Sequence, residues 1–568
     1  MHTNTVGPAR SEFAGAATLV EVFVAKLREL GVSDAFGVMG GAIAPFFKAL
    51  HAGGIRAIHT RHEAGASFAA IEASLATQRP VVVFTTAGPG IANAVTGMLA
   101  ARAEGAHVIF VSASTSLAHR GRVATQETTP HTMLGAGLYA PGGPLHMATV
   151  VDHPQQLGPT IAQLASGLRR ANGFVAHVSL PIATQTAPVD VPPIIPTRTR
   201  SSVSVEMAAE HASLLDEGRF AIWLGFGARH ASESVRLLAE RTGARVFCSP
   251  RAKGIFPEDH PLFIGVTGLG GHVEVEAELQ RSRPEYTLVL GTRMGESTSF
   301  WSSELAPSKA FIHVDLEPQA FSAAYPEVAT IGVVADIDAY VRALLPRLAQ
   351  KNDTRAELGR PRASLTPRPN GAVRPQLLMQ EIQAVYIDRG DAWLMAESGN
   401  SFCWSTHLLR FNEPGRYRVS TNFGSMGHAT SSVVGAALAR KKKAVALVGD
   451  GAMMMMNELH TAVQYGVDAT WIVLNDACYL MCAQGMQMMG WEPFSCELPP
   501  VDFVGLAKAI GAKGIRVDRE TDVREALESA ARVTGPVVVD VRIDRAEVPP
   551  SGRRNRSLMQ QGFAAARK

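Results

Sequence analysis

The sequence predicts an α/β protein built from three sequential doubly wound parallel-sheet domains. Three observations carry that prediction. Short, continuous β-branched runs such as Val81-Val82-Val83-Phe84-Thr85 alternate with helical stretches, the pattern of strands buried on both faces. Such a run leads into a glycine turn at Ala87-Gly88-Pro89-Gly90. Two proline-rich joints divide the 568 residues into three blocks, as expected for domains of roughly 150 residues.

The first block covers residues 14–186. Strand Val81–Thr85 enters the turn, a helix of small residues runs from Ile91 to Ala103, and a second strand covers His107–Ser112. Residues 187–204 hold Pro188, Pro192, Pro193 and Pro196 and read as a linker. The second block, 205–348, repeats the alternation, with strands at Phe220–Leu224, Ala244–Cys248, Tyr286–Leu290 and Phe311–Val314. A joint at 351–375, with Pro361, Pro367 and Pro369, leads into the third block, 376–545. Its strands are expected at Ala444–Val448, Thr470–Leu474 and Pro536–Val541. Residues 546–568 form a basic tail, and Arg553, Arg554, Arg556, Arg567 and Lys568 read there as a frayed, solvated end. No short repeat of the solenoid kind is present.

Composition narrows the function classes. Apolar residues make up 46% and charged residues 18%, enough to bury large cores. A net charge of only +3 argues against a nucleic-acid binder. Cys248, Cys403, Cys478, Cys482 and Cys496 are too few for a disulfide framework and fit a reducing compartment. Cys478 and Cys482 could share a helix face, but no flanking histidines complete a zinc set. The first ten residues lack the apolar centre of a signal peptide, and no apolar run is long enough to span a membrane. A cytoplasmic protein with no membrane or nucleic-acid partner is expected.

The most informative stretch is Ala444 to Tyr479. A buried strand runs into Gly449-Asp450-Gly451, and the next strand ends at Asn475, 25 positions after Asp450. Ligands of doubly wound sheets bind at such carboxyl ends. The glycines admit a phosphate to the backbone, and a helix beginning near Ala452 would offer its positive end. A carboxylate and an amide oxygen suit Mg²⁺, which keeps phosphate oxygens and water as further ligands. Gly-Asp-Gly alone is equally an ordinary capped turn.

With the strand-end asparagine, the pattern resembles the diphosphate motif of thiamine-diphosphate-dependent enzymes. The resemblance implies that Asp450, Asn475 and the backbone carbonyl of Ala477 hold the metal. The first block agrees independently. Arg61-His62-Glu63-Ala64-Gly65-Ala66, then Thr86-Ala87-Gly88-Pro89-Gly90 and Asn93, resemble the pyrimidine-binding domain of acetolactate synthases. Glu63 is then the acid that hydrogen-bonds the aminopyrimidine ring and drives it to its imino form. Gly37-Val38-Met39-Gly40-Gly41-Ala42 is similar to the family's Gly-x-Pro-Gly-Gly loop, with Met39 in place of proline. Gly424-Ser425-Met426-Gly427 resembles the loop whose apolar residue, here Met426, wedges the cofactor into a bent shape. Ser398-Gly399-Asn400-Ser401 and Trp404 resemble another diphosphate-contacting segment. The resemblance thus implies cofactor contacts at Gly40, Pro89, Asn93, Gly399, Asn400, Ser401, Ser425, Met426, Gly449, Gly451, Ala452 and Tyr479.

The family joins, decarboxylates or oxidises 2-oxo acids on one cofactor. Acetolactate synthase-like chemistry is therefore expected, with an aldehyde or second oxo acid as acceptor. The alternatives are a decarboxylase that releases an aldehyde and a flavin-dependent oxidase. Departures concentrate where substrate specificity is set. Val111-Ser112-Ala113-Ser114-Thr115 lacks the family's Gly-Gln, and Tyr479 to Met489 lacks Gln-Trp-Gln. Gln126-Glu127 is kept, making Gln126 a candidate catalytic residue beside Glu63. His131 and His428 are candidate acid–base groups, each with a local hydrogen-bonding role as the plainer reading. Gly225-Phe226-Gly227 and Gly268-Leu269-Gly270-Gly271 are weak flavin signals, and Met294-Gly295-Glu296 departs from the flavin-contacting pattern, so FAD is possible but not favoured. The resemblance further implies a homodimer or homotetramer with active sites at the subunit interface.

Overall fold

The computed structural model describes residues 17–129, 137–140, 143–190, 193–194, 203–351 and 364–562. The chain forms two compact units. The first comprises residues 1–70, 78–102 and 106–197, and the second comprises 71–77, 103–105 and 198–568.

The first unit holds strands β1 (Asp34–Gly37), β2 (Arg56–His59), β3 (Val81–Thr85), β4 (His107–Ser114), β5 (Met147–Val150) and β6 (Phe174–Pro181). They form one parallel sheet in the order β2-β1-β3-β4-β6-β5. The chain moves outward from β1 to β2, then restarts at β3 on the other side, so the switch point lies between β1 and β3. Strand β3 is buried throughout and β4 is buried beyond His107 because both faces are covered; Val82, Phe84, Ile109 and Val111 are wholly buried. Strand β4 runs two residues beyond its expected end because Ala113 and Ser114 pair with Leu180 and Pro181 of β6. The helix after β3 starts at Pro89, whose missing N–H suits a first turn, and continues to Glu104. It crosses the preceding helix closely, since a Cβ on Gly97 would fall 2.0 Å from Ser67 Cβ. The expected linker at 187–204 begins as structure: Leu19 N–H donates to Ala187 O and Val189 N–H to Ala17 O.

The second unit holds two further six-stranded parallel sheets. One consists of β7 (Phe220–Leu224), β8 (Arg245–Cys248), β9 (Phe263–Val266), β10 (Tyr286–Leu290), β11 (Ala310–Asp315) and β12 (Thr330–Val334), ordered β12-β11-β10-β7-β8-β9. The other consists of β13 (Trp393–Ala396), β14 (Tyr417–Val419), β15 (Ala444–Gly449), β16 (Ala469–Asn475), β17 (Lys513–Val517) and β18 (Val537–Arg542), ordered β14-β13-β15-β16-β18-β17. Its switch point lies between β13 and β15. The three doubly wound sheets expected from the sequence are therefore present, although the second and third belong to one compact unit.

Two local expectations change. The chain after β15 forms only a single turn, Asp450–Met453, before the longer helix Asn457–Gln464, so no extended helix dipole backs the Gly-Asp-Gly turn. Within the tail, Gly552–Gln560 is a helix with Asn555 and Ser557 buried, not a frayed end. Arg567 and Lys568 lie outside the described residues. Among the described residues, no helix is long and apolar enough to cross a membrane.

Candidate functional site

Each of two sheets builds a site at its switch point, where the loops on either side diverge and leave a crevice. In the first unit the loops after β1 and β3 meet there. A Cβ on Gly37 would fall 2.0 Å from Phe84 O, and one on Gly40 would fall 2.6 Å from Thr86 Cβ, so these glycines permit the loops to close on each other. Glu63 opens the helix that follows β2 and is buried. Its Oε2 accepts a hydrogen bond from Asn93 Nδ2 at 3.1 Å. Its Oε1 faces Gly90, where an added Cβ would lie 3.3 Å away. Ser67 Oγ fixes the turn by donating to Glu63 O at 2.7 Å.

Gly88 N–H donates to Thr128 Oγ1 at 2.6 Å, and a Cβ on Gly88 would lie 2.8 Å from Gln126 Cβ. The segment carrying Gln126 thus closes over the Gly88-Pro89-Gly90 turn, which Glu63 faces from its other side. Met39 is exposed beside Gly40, and its N–H donates to His59 Nε2 at 3.2 Å. His131 lies outside the described residues.

The second site lies at the carboxyl ends of β13 and β15. A cavity of about 310 Å³ opens there, with Gly399, Asn400, Ser401, Trp404, Met426, Gly449, Asp450, Gly451, Ala452 and Tyr479 on its wall. Gly399 has φ +117° and no atom within 4 Å of where a Cβ would stand, so its bare backbone faces open space. Gly451 is required differently: a Cβ there would fall 2.5 Å from Tyr479 Cε1. Asn400 Nδ2 donates to Gln484 Oε1 at 3.1 Å, and Gln484 Nε2 in turn donates to Glu547 O at 3.1 Å. Ser425 does not reach this wall, and its hydroxyl donates to Met426 O at 3.0 Å.

The three expected metal ligands, Asp450, Asn475 and Ala477, all border one small cavity, and Asp450 also faces the glycine-lined one. Asp450 Oδ1 accepts from Gly451 N–H at 2.7 Å, and its Oδ2 from Asp476 N–H at 3.2 Å. Asp476, the residue after the expected asparagine, shares the cavity with Asp450, and its buried Oδ1 has no partner among the described residues. Asn475 and Ala477 instead line a second cavity of about 260 Å³, which Asp450 and Tyr479 also border. Asn475 Nδ2 donates to Asp540 Oδ1 at 2.8 Å. The Ala477 carbonyl already accepts from Leu498 N–H at 2.8 Å and from Arg545 Nη2 at 3.0 Å, so both of its lone pairs are engaged.

The residues facing the glycine-lined cavity fit a hard divalent cation through two carboxylates. Burial pushes Asp450 up, and burial together with the Asp450 charge pushes Asp476 up to about 7. Two carboxylates pressed together this way cost free energy that a divalent cation between them offsets. Residue alternation separates the two side chains at the strand end: Asn475 keeps its amide Nδ2 on Asp540 and leaves its buried Oδ1 without a partner among the described residues, and Asp476 turns toward the glycine-lined cavity.

His428 does not join this site. It is buried, with Nε2 3.6 Å from Glu72 Oε1, and Glu72 is also held by Arg418 Nε at 2.9 Å. Although burial alone would lower its pKa, the Glu72 hydrogen bond and the charges of Glu104, Glu72 and Glu397 raise it overall. Its ring lies against Glu72, and His428 is absent from the wall of the glycine-lined cavity. The middle-domain glycines are also explained by packing, because a Cβ on Gly225 would fall 2.1 Å from Gly291 O.

Three domain models of the thiamine pyrophosphate (thiamine diphosphate) enzymes match the chain. The N-terminal TPP-binding domain matches residues 17–133, the central domain 209–344, and the C-terminal TPP-binding domain 397–541. The chain is 28% identical over 553 residues to an acetolactate synthase large subunit of Mycobacterium tuberculosis, covering 92% of this chain and 87% of that one. It is 26% identical over 554 residues to the acetolactate synthase isozyme 2 large subunit of Escherichia coli K12, covering 94% and 98%. In fold it is similar to a thiamine diphosphate-dependent 4-hydroxybenzoylformate decarboxylase of Rhodococcus jostii RHA1, with a TM-score of 0.81, 22% identity and coverage of 93% and 99%.

Proposed function

Because the chain belongs to the thiamine pyrophosphate enzyme family, we propose that it decarboxylates a pyruvate-like 2-oxo acid and transfers the acyl unit to an aldehyde or oxo-acid acceptor. The observation that carries this reading is the buried Glu63 carboxyl. One oxygen is held by Asn93 and the other is turned to the Gly88–Gly90 turn, beside Gln126. That is the arrangement an acid needs to pass a proton to a ring nitrogen of the cofactor. The cofactor supplies the electron sink for loss of CO₂.

In this reading the Gly399, Gly449 and Gly451 backbone receives the diphosphate, and Asp450 with Asp476 holds Mg²⁺ against it. Met426, exposed on the cavity wall, supports the cofactor's bend. Gln126 is assigned to the substrate side of the Glu63 site. The first unit holds one candidate site and the second unit the other, and we assign each catalytic centre to a pair of subunits of a homodimer or homotetramer in the cytoplasm.

The test is mass spectrometry of products from a panel of 2-oxo acids, with and without aldehydes. Carboligation predicts a 2-hydroxyketone or 2-hydroxy-2-methyl-3-oxo acid whose formation needs thiamine diphosphate. Aldehyde as the sole product would replace carboligation with simple decarboxylation. No turnover of any 2-oxo acid would contradict the reaction class.

A further inference from the structure

The C-terminal helix Gly552–Gln560 brings to the third-sheet cavity a group that the site's other residues do not provide. Three charged side chains on the cavity wall are acidic, namely Asp450, Asp476 and Glu547, and the fourth is Arg554. The helix holds Arg554 there firmly. Asn555 and Ser557 are 3% and 1% exposed. Ser557 Oγ donates to Glu296 Oε1 at 2.8 Å, and Asn555 Nδ2 lies 2.9 Å from Met488 Sδ.

The three arginines of this helix part company. Arg553 is paired with Glu276 at 2.5 Å. Arg556 is exposed and absent from the cavity wall. Arg554 passes Gly485, where an added Cβ would lie 3.8 Å from its Nη1, and enters the cavity. Among the described residues it has no ion pair.

We propose that Arg554 is the cationic anchor for the terminal phosphate of the bound cofactor, an inference that rests on the thiamine-diphosphate reading above. Charge balance is the reason. A divalent cation held by Asp450 and Asp476 is already neutralised by its two protein ligands. A diphosphate entering the cavity then meets a further carboxylate, Glu547, with Arg554 as the opposing charge. The guanidinium fork presents paired N–H donors that match phosphate oxygens. The basic tail is, on this view, part of the cofactor site, and its helix anchors exist to place one side chain.

The experiment is calorimetric titration of the full-length protein with Mg²⁺ and thiamine diphosphate, thiamine monophosphate or thiamine. Arg554→Ala should weaken thiamine diphosphate binding by about 10- to 100-fold, the worth of one or two charge-assisted hydrogen bonds. Thiamine binding should stay at the wild-type level, and Arg554→Lys should recover part of the loss. Arg556→Ala, on the same helix but off the cavity, should match wild type. Unchanged diphosphate affinity in Arg554→Ala would overturn the proposal, as would an equal loss for thiamine, which would mark a purely structural role. A raised KM for the 2-oxo acid with unaltered cofactor affinity would move Arg554 to the substrate carboxylate and also overturn it. Wild-type protein that binds no thiamine diphosphate would instead defeat the underlying cofactor reading.

Discussion

Replacing Glu63 by Gln isolates the proton from everything else Glu63 does. The two side chains share a shape, and a Gln carbonyl can still accept the 3.1 Å hydrogen bond from Asn93. Its amide group then faces the Gly90 turn, where it can donate a hydrogen bond but cannot give up and regain a proton. Packing in this buried position is preserved, so cofactor affinity should change by no more than about threefold, or about 0.65 kcal/mol. The loss falls on acid–base catalysis, which is worth about 10²- to 10⁴-fold, or about 2.7–5.4 kcal/mol at 1.36 kcal/mol per decade. The assay is exchange of the thiazolium C2 proton of bound thiamine diphosphate for deuterium, followed by quenched-flow NMR. Exchange in Glu63→Gln should slow by at least about 100-fold. Asn93→Ala, which removes only the hydrogen bond, should slow it by about tenfold or less. Exchange in Glu63→Gln at the wild-type rate would show that Glu63 is a packing residue.

Further outcomes follow from the same geometry. Asp476→Ala should weaken Mg²⁺-supported cofactor binding by more than the roughly 10- to 100-fold that outer-shell changes cost, with Asn475→Ala retaining it and losing only stability. The reverse ranking in calorimetry would restore Asn475 as the ligand. The buried Glu520 carboxylate takes hydrogen bonds from Arg374 Nε at 2.7 Å, Arg374 Nη2 at 2.8 Å and Arg368 N–H at 2.6 Å. Those from Arg374 first hold it at about 2 against an ordinary 4.5. The contribution, up to about 3.4 kcal/mol, is complete above pH 4.5 and is lost as pH falls through 2. Glu520→Gln should therefore lower the urea midpoint at pH 7, with a gap that narrows below pH 4.5; an equal midpoint at pH 7 would contradict this. Finally, mixing inactive Glu63→Gln and Asp450→Ala subunits should restore part of the activity if each centre draws on two subunits. No rescue after verified subunit exchange would count against the shared centre.

The strands most legible in the sequence were those buried on both faces. Phe220–Leu224 and Tyr286–Leu290 have the expected limits because no charged residue, glycine or proline interrupts them. Short strands such as β2, with one exposed end, carry too few apolar residues to stand out. At the site, Gly449-Asp450-Gly451 was readable only together with the second strand end 25 positions on, because alone it is equally a capped turn. The sequence pointed to Asn475 as its partner and gave no sign of Asp476, the carboxylate that also shares its cavity. A sequence motif counts positions, whereas the end of a strand sends neighbouring side chains to opposite faces, so Asn475 meets Asp540 and the smaller cavity while Asp476 meets the glycine-lined one. The C-terminal helix was hidden by its arginines: the run suggested solvent, and the buried Asn555 and Ser557 between them gave no apolar period to detect.

The proposed reaction depends on thiamine diphosphate binding through a metal held by Asp450. Titrating wild-type protein and Asp450→Ala with thiamine diphosphate, each in Mg²⁺ and in chelator, tests it most directly. Wild type should bind saturably in Mg²⁺, and binding should be lost both in chelator and in the Asp450→Ala variant with the fold retained by circular dichroism. Equal affinity with and without metal, or in the two proteins, would contradict it.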